Sequence, residues 1–330
     1  MRVTVVGYGT VGARVVDLLL AEPEVERLTV LHRHPERVQS RLGRLDRPVT
    51  LRRLPPDGPV EQADVTVIAV PGAVRRLAVG AIDAHSHVVC PVDDPIDVRH
   101  LVELDRPARA GGRSVAAGTA MAPGLSCILA RYIAATLDSV DEVHVAAFGT
   151  GGPACARRHH AALAGIAFDY LEGTFRRRAS GSGRELVWFP EPVGGADCYR
   201  AALADPLLLA PAFGGARRIT SRLAATRRDR LTSWLPMLRP PHPEGLLGAV
   251  RVEVRGWADG RPESRVLGAA SPPAVVAAAV SATAALWAGQ GRLARSGAAG
   301  LAEMVSDPGR FLRDVVARGV RISAFDGSSR

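Results

Sequence analysis

Apolar positions recur along this chain with two different periods, and the dominant period changes near residue 125. Residues 2–6 (RVTVV) form a short run of buried character, after which Val11, Val15, Val16, Leu18 and Leu19 fall at helical spacing. Strand-like runs return in RLTVLH (27–32), ADVTVIAVPG (63–72) and HVVCPVDDP (87–95), with the helical AVRRLAVGAIDA (73–84) between the last two. Strands alternating with helices to about residue 120 predict a parallel, doubly wound sheet. Beyond it, VDEVHVAAFGTG alternates strictly and puts Val143, Val145 and Ala147 on one face. EGTFRRRASGSGRELVWFP reads as two strands joined into a hairpin by Ser180-Gly181-Ser182-Gly183. LGAVRVEVRGWADGRPESRVLGA reads as a second hairpin, turning at Asp259-Gly260. The intervening segment, residues 200–245, predicts two or three helices and a proline-rich loop.

The first turn carries chemistry. Gly7, Gly9 and Gly12 complete G-x-G-x-x-G between the first strand and the first helix. Such a motif needs a tight turn, a close backbone approach to a pyrophosphate, and close helix–strand packing, one for each glycine. The helix start then offers unpaired N–H groups to the phosphates. Gly7, Tyr8, Gly9, Thr10, Val11 and Gly12 are therefore candidates for binding a dinucleotide, and Val70, Pro71 and Gly72 for lining its nicotinamide side. About 25 residues beyond Gly7, where an NAD site usually carries an acidic residue for the ribose hydroxyls, the chain has His32, Arg33 and His34, with Arg37 a turn later. Guanidinium groups there suit a 2′-phosphate, so NADP(H) is expected over NAD(H).

Composition alters this picture in two ways. The formal net charge is +9, but all 42 basic residues are arginine and none is lysine. Aromatics are few and no nucleic-acid reader motif is present, so the charge does not predict a nucleic-acid partner. The absence of lysine excludes a Schiff-base lysine, a lysine general acid and a P-loop lysine. Cys90, Cys127, Cys155 and Cys198 are dispersed without a C-x-x-C pair and are expected as thiols. The longest apolar run, 273–289, falls short of a bilayer span, and the chain opens on a strand pattern with no leader signature. A cytoplasmic protein without a membrane partner is expected.

SVAAGTAMAPGLSCILARYIA, with Pro123-Gly124 opening a helix, resembles the junction of saccharopine dehydrogenase-like proteins, and the stretches 248–291 and 300–322 resemble that family's closing strands and helices. Diaminopimelate dehydrogenase and other amino-acid dehydrogenases share similar features. The resemblance implies an α/β fold: an amino-terminal Rossmann domain (1–122), an inserted α+β substrate and dimerisation domain with a mixed or antiparallel sheet (123–300), and a helix and strand returning to the first domain (301–330). It further implies a homodimer and NADP(H)-dependent hydride transfer at a C–N bond of an amino-acid-derived imine or amine. The lysine-forming members' Lys/His pair has no counterpart here.

Hydride transfer at such a bond needs a cation for the substrate carboxylate and a group that manages the nitrogen's proton. Gly151, Arg157 and Arg158, in FGTGGPACARRHH, are the candidates for the carboxylate, and solvated surface arginines are the ordinary alternative. His159, His160, Tyr170 and Asp94 are the candidates for the proton. Adjacent histidines on a helix point about 100° apart, so at most one faces a pocket. Asp94, with Asp93, equally suits capping of the helix that follows. Cys155 and His159 share a helix face at i, i+4, but no partner pair is evident, so no metal is expected. Two other functions stay open: reduction of a C=O or activated C=C bond, and a catalytically silent NADP-binding sensor or scaffold.

Overall fold

The computed structural model describes residues 1–55, 62–237, 240–242 and 245–325. Six strands form the amino-terminal half: β1 (Arg2–Val6), β2 (Arg27–His32), β3 (Thr50–Arg53), β4 (Val65–Ile68), β5 (His87–Cys90) and β6 (Ser114–Ala117). The next strands are β7 (Ser139–Phe148), β8 (Ile166–Leu171), β9 (Thr174–Ala179), β10 (Glu185–Phe189), β11 (Gly194–Arg200) and β12 (Arg218–Ala224). The last are β13 (Ala249–Ala258), β14 (Arg261–Ala270), β15 (Gly297–Gly300) and β16 (Ile322–Ala324).

The first sheet has seven strands in the order β15-β6-β5-β4-β1-β2-β3, and every pairing is parallel. Order reverses between β1 and β4, which opens a crevice beyond their carboxyl ends where doubly wound sheets bind ligands. The central strands β4, β5 and β6 are almost wholly buried because helices cover both faces, whereas the edge strand β3 is mostly exposed. One cover is the helix Pro273–Gly289, apolar all round, with fifteen of its seventeen residues buried. It packs on the helix Thr10–Leu20 and on β4 and β5. Among the described residues no helix is long and apolar enough to cross a membrane.

The second sheet is nine-stranded and mixed, running β10-β11-β12-β7-β13-β14-β16, with β8 pairing β12 and β9. Only β12 and β7 pair in parallel. The alternation expected for β7 holds: Val143 and Val145 lie opposite Val254 and Val252 of β13, all buried. They face the helix Leu125–Ala134. The β13–β14 hairpin turns at Asp259 (φ +51°) and Gly260 (φ +70°), the two positive values that a two-residue I′ turn requires.

The structure corrects three expectations. The Ser-Gly-Ser-Gly segment joins β9 to β10, yet these strands do not pair; β9 pairs β8 and β10 pairs β11. The stretch expected to be helical contains β12, a central strand whose Thr220 and Ser221 are buried polar residues that weaken its apolar pattern. Of the helices expected there, short ones appear at Asp205–Leu209 and Arg227–Thr232, and the proline-rich loop lies partly outside the described residues. The third concerns the chain's return. β15 falls inside 123–300 but completes the first sheet beside β6, whereas β16, inside 301–330, joins the second sheet beside β14.

Candidate functional site

The glycine motif does what its spacing asks. Gly7 has φ +97°, and a Cβ on Gly12 would lie 2.2 Å from the Gly7 carbonyl oxygen, so the helix Thr10–Leu20 approaches β1 as no larger residue would allow. Gly9 has nothing within 4 Å of its would-be Cβ and faces open space. A cleft of about 500 Å³ opens here, walled by Gly9, Thr10, Val11, Val70 and Pro71 from the first sheet. Its other walls are Val92–Asp94 after β5, Ala120–Ala122 at the Pro-Gly junction, and Gly151–Cys155, Arg157 and His159 from the second sheet's side. Both sheets therefore contribute, and the residues expected to hold a dinucleotide lie at one end.

That end extends as a groove over Gly7, Tyr8, Leu31, His32, Arg33, His34 and Arg37. Gly72 follows Pro71 in a turn with φ +89° and is exposed. Arg33 and Arg37 are exposed, and among the described residues their guanidinium groups have no partner. Sequence reasoning missed two neighbours: Arg53, from β3, and Arg76 line the adjoining cavity with Arg33 and His34. Arg53 donates to the Arg33 carbonyl at 3.0 Å and approaches Glu36 at 3.4 Å. Glu36 is exposed and offset by Arg53, so the groove keeps a cationic excess. Tyr8 is buried beneath Arg41, whose guanidinium carbon stands 5.5 Å from the ring centre.

The opposite end is a closed charge cluster. After β7 the chain turns through 149–152 and enters the helix Pro153–Ala162, whose buried face carries His159. From β5 comes Asp93. Arg158 Nε donates to Asp93 Oδ1 at 2.9 Å and Nη2 to the Asp93 carbonyl at 2.5 Å. Asp93 Oδ2 takes a hydrogen bond from His159 Nε2 at 3.0 Å and one from Cys155 Sγ at 3.4 Å, and Sγ stands 3.7 Å from Nε2. Burial opposes ionisation of Asp93, but Arg158 and His159 outweigh it and hold the carboxyl well below its usual range. Burial likewise opposes a charged His159. Cys155 and Asp93 reverse that and push the ring up to about 10, so it stays protonated near neutral pH.

The other candidates separate from this cluster. His160 lies on the helix's other side, its Nε2 near the carbonyls of Thr232 and Leu235 at 3.0 and 3.1 Å. Asp94 caps the helix Pro95–Val102 by accepting from the Ile96 and Asp97 amides, and stands 3.5 Å from Arg158. Tyr170 packs edge-on against Phe175 in a separate cavity with Leu207 and Pro211. Arg158 is spent on Asp93. Arg157 lines the cleft, and among the described residues its side chain has no hydrogen bond or ion pair. Asp93 was passed over in favour of Asp94 because adjacent acidic residues look alike in sequence. Both line the cleft; what separates them is a helix cap, which engages the carboxylate of the second, whereas the first meets His159 and Cys155.

No protein-family model matches the chain, and no curated protein matches it in sequence. Among solved structures, the fold resembles apo saccharopine dehydrogenase (L-Glu forming) from Saccharomyces cerevisiae, with a TM-score of 0.72 at 14% identity over 98% of this chain and 100% of that one. It also resembles the C. glutamicum DAP dehydrogenase in complex with DAP (0.52, 16%, 97% and 99%). A third is the amine dehydrogenase from Mycobacterium smegmatis (0.53, 13%, 93% and 98%). These likenesses concern the fold.

Proposed function

We propose that the protein is an NADP(H)-dependent oxidoreductase acting at a C–N bond of a small, carboxylate-bearing, amino-acid-derived substrate. One observation carries the reading: a single cleft joins a G-x-G-x-x-G helix start to a half-buried cluster of Asp93, Cys155 and Arg158 around buried His159, with Arg157, which has no ion pair among the described residues, on the wall between. When bound, the nicotinamide supplies or accepts the hydride. The chain's residues fit such a group, since the approach of Gly12 to Gly7 shapes a tight strand-to-helix turn and Arg33, Arg37, Arg53 and Arg76 line the adjoining cavities, where they would offer cations to a ribose phosphate. Arg157 supplies a cation for the substrate carboxylate. His159, kept charged by Asp93, holds a proton beside the cleft for the substrate nitrogen, and Arg158 fixes Asp93 beneath it. Saccharopine, DAP and amine dehydrogenases sharing the fold support this class of substrate. A homodimer through the second sheet belongs to the same reading. Leu186 and Trp188, exposed on β10, support it.

Thermal shift with NADPH and NADH tests the cofactor, with the larger rise in melting temperature expected for NADPH. A shift with neither removes the enzymatic reading. NADPH oxidation with α-keto acids plus amines tests the chemistry. Turnover on keto acids or enones without amine would instead assign reduction of C=O or C=C.

A further inference from the structure

We propose that Asp93, Cys155 and His159 form the protein face of a divalent-metal site of the zinc class, with its open position turned to the cleft. In sequence only the i, i+4 pair of Cys155 and His159 was visible, and it lacked a partner. The fold supplies one from 62 residues away: the three ligand atoms Oδ2, Sγ and Nε2 all lie within 4.8 Å of one another.

Their spacing is that of a coordination face. Zinc bonds of about 2.0 Å to oxygen and nitrogen and about 2.3 Å to sulfur put tetrahedral ligand atoms roughly 3.3–3.6 Å apart. The observed separations of 3.0, 3.4 and 3.7 Å agree within about 0.3 Å of that geometry. A relay activating Cys155 as a nucleophile would be built differently. There the carboxylate holds one ring nitrogen and the thiol the other. Here both groups converge on Nε2, and His159 Nδ1 is buried with no hydrogen-bond partner among the described residues. Mixed sulfur, nitrogen and oxygen donors suit zinc rather than magnesium or calcium.

On the carboxylate side the surroundings fit as well, while His159 Nδ1, which would carry the proton of a neutral ligating ring, has no acceptor among the described residues. Arg158 binds Oδ1 and the Asp93 carbonyl, which leaves Oδ2 aimed at the other two ligands, the usual way an outer residue orients a ligating carboxylate. A divalent ion bound by a thiolate and a neutral imidazole replaces two protons, so the net charge of the cluster beside Arg158 is unchanged. Three protein ligands with the fourth position facing a cleft is the pattern of catalytic zinc, where water or a substrate nitrogen or oxygen completes the shell. The inference rests on the proposed function only for what that position would meet; in the loaded site the ion takes the place of the His159 proton as the electrophile.

Cobalt(II) is the probe, added to full-length protein after chelator treatment. The expected result is one Co²⁺ per chain, with a sulfur-to-cobalt charge-transfer band in the near ultraviolet and intense tetrahedral bands in the visible. Zn²⁺ should bleach both. Cys155→Ser should lose the charge-transfer band, and His159→Ala should weaken Co²⁺ binding by more than about 100-fold. The NADPH-induced melting shift, measured on the same samples, reports folding and cofactor binding independently of metal. A folded wild type without cobalt bands, or a band that survives Cys155→Ser in folded protein, overturns the site. If Cys155→Ser does not fold, Asp93→Asn decides, since it should weaken Co²⁺ binding in a chain with its thiol intact. An NADPH shift without cobalt bands rejects the metal and spares the oxidoreductase; cobalt bands without any NADPH shift do the reverse.

Discussion

At the β2–β3 end of the cleft, Arg33 and Arg37 stand exposed and, among the described residues, unpaired. At the other end Asp93, Arg158 and His159 are sheltered and paired with one another. The first arrangement suits a ligand that brings its own charge, because cations left in water cost little to hold ready. The second suits a group whose protonation or ligation must be fixed before a substrate arrives, because in a poorly solvated place each charge depends on its neighbours. Asp205 extends the contrast. Fully buried between the helix Leu125–Ala134 and β12, it receives hydrogen bonds from Ser126 (2.6 Å) and Ser221 (3.3 Å). Burial pushes its carboxyl up to about 6, only partly countered by the two hydroxyls. A half-buried and a fully buried carboxyl thus shift in opposite directions, and Arg158 and His159 beside Asp93 are the difference.

Breaking the paired end should have the largest effect. Asp93→Asn is expected to lower turnover by at least about 100-fold in steady-state kinetics while NADPH still raises the melting temperature. Loss of both together would mean the two ends are not separable. Asp205→Asn comes next. Because the folded-state value lies above the ordinary 3.8, Asp205's stabilising contribution is complete below about pH 4 and is lost as the pH rises through about 6. Urea melts across that window should show the wild type losing up to about 3 kcal/mol more than the Asn variant, which lacks this group's contribution. Equal slopes in the two proteins would remove Asp205 as the source.

Arg157→Met should raise the KM for a carboxylate substrate by about 10–100-fold with little change in kcat. A fall in kcat alone would place Arg157 in the chemistry instead of binding. At the open end, Arg33→Ala should weaken NADPH by about 10-fold and leave NADH unchanged, since an exposed cation gives up only a modest interaction. Equal losses for the two cofactors would detach Arg33 from the 2′-phosphate. Tyr170→Phe marks the lower limit. Lying outside the cleft, it should change turnover by less than about two-fold.

The same contrast explains what was legible in sequence. The open end is local: a glycine motif, the strand before it and the residues closing the next strand all lie within 40 positions, where spacing alone is informative. The closed end joins Asp93 to a helix some sixty residues later, and nothing in periodicity marks that pairing. His159 and His160 were equivalent as letters; only the rotation of the helix decides that one meets Asp93 and the other the 232–235 turn. Strand pairing failed for a related reason. Ser180–Gly183 has ideal turn chemistry, but β9 and β10 each find a better edge elsewhere. β12 escaped notice because it buries Thr220 and Ser221, residues whose cost is met by hydrogen bonds that sequence does not display: Ser221 to Asp205 and Thr220 to His144.

The late position of β15 bears on how the chain reaches this structure. The first sheet cannot be finished until residue 297 has been made, so on the ribosome β6 presents an open edge while the whole mixed sheet is being synthesised. Pairings between residues so far apart in the chain form slowly, because loop closure opposes them before contacts reward it. The waiting β6 edge is thus the place where misassembly would begin, and truncation before residue 297 should yield chains that associate through it.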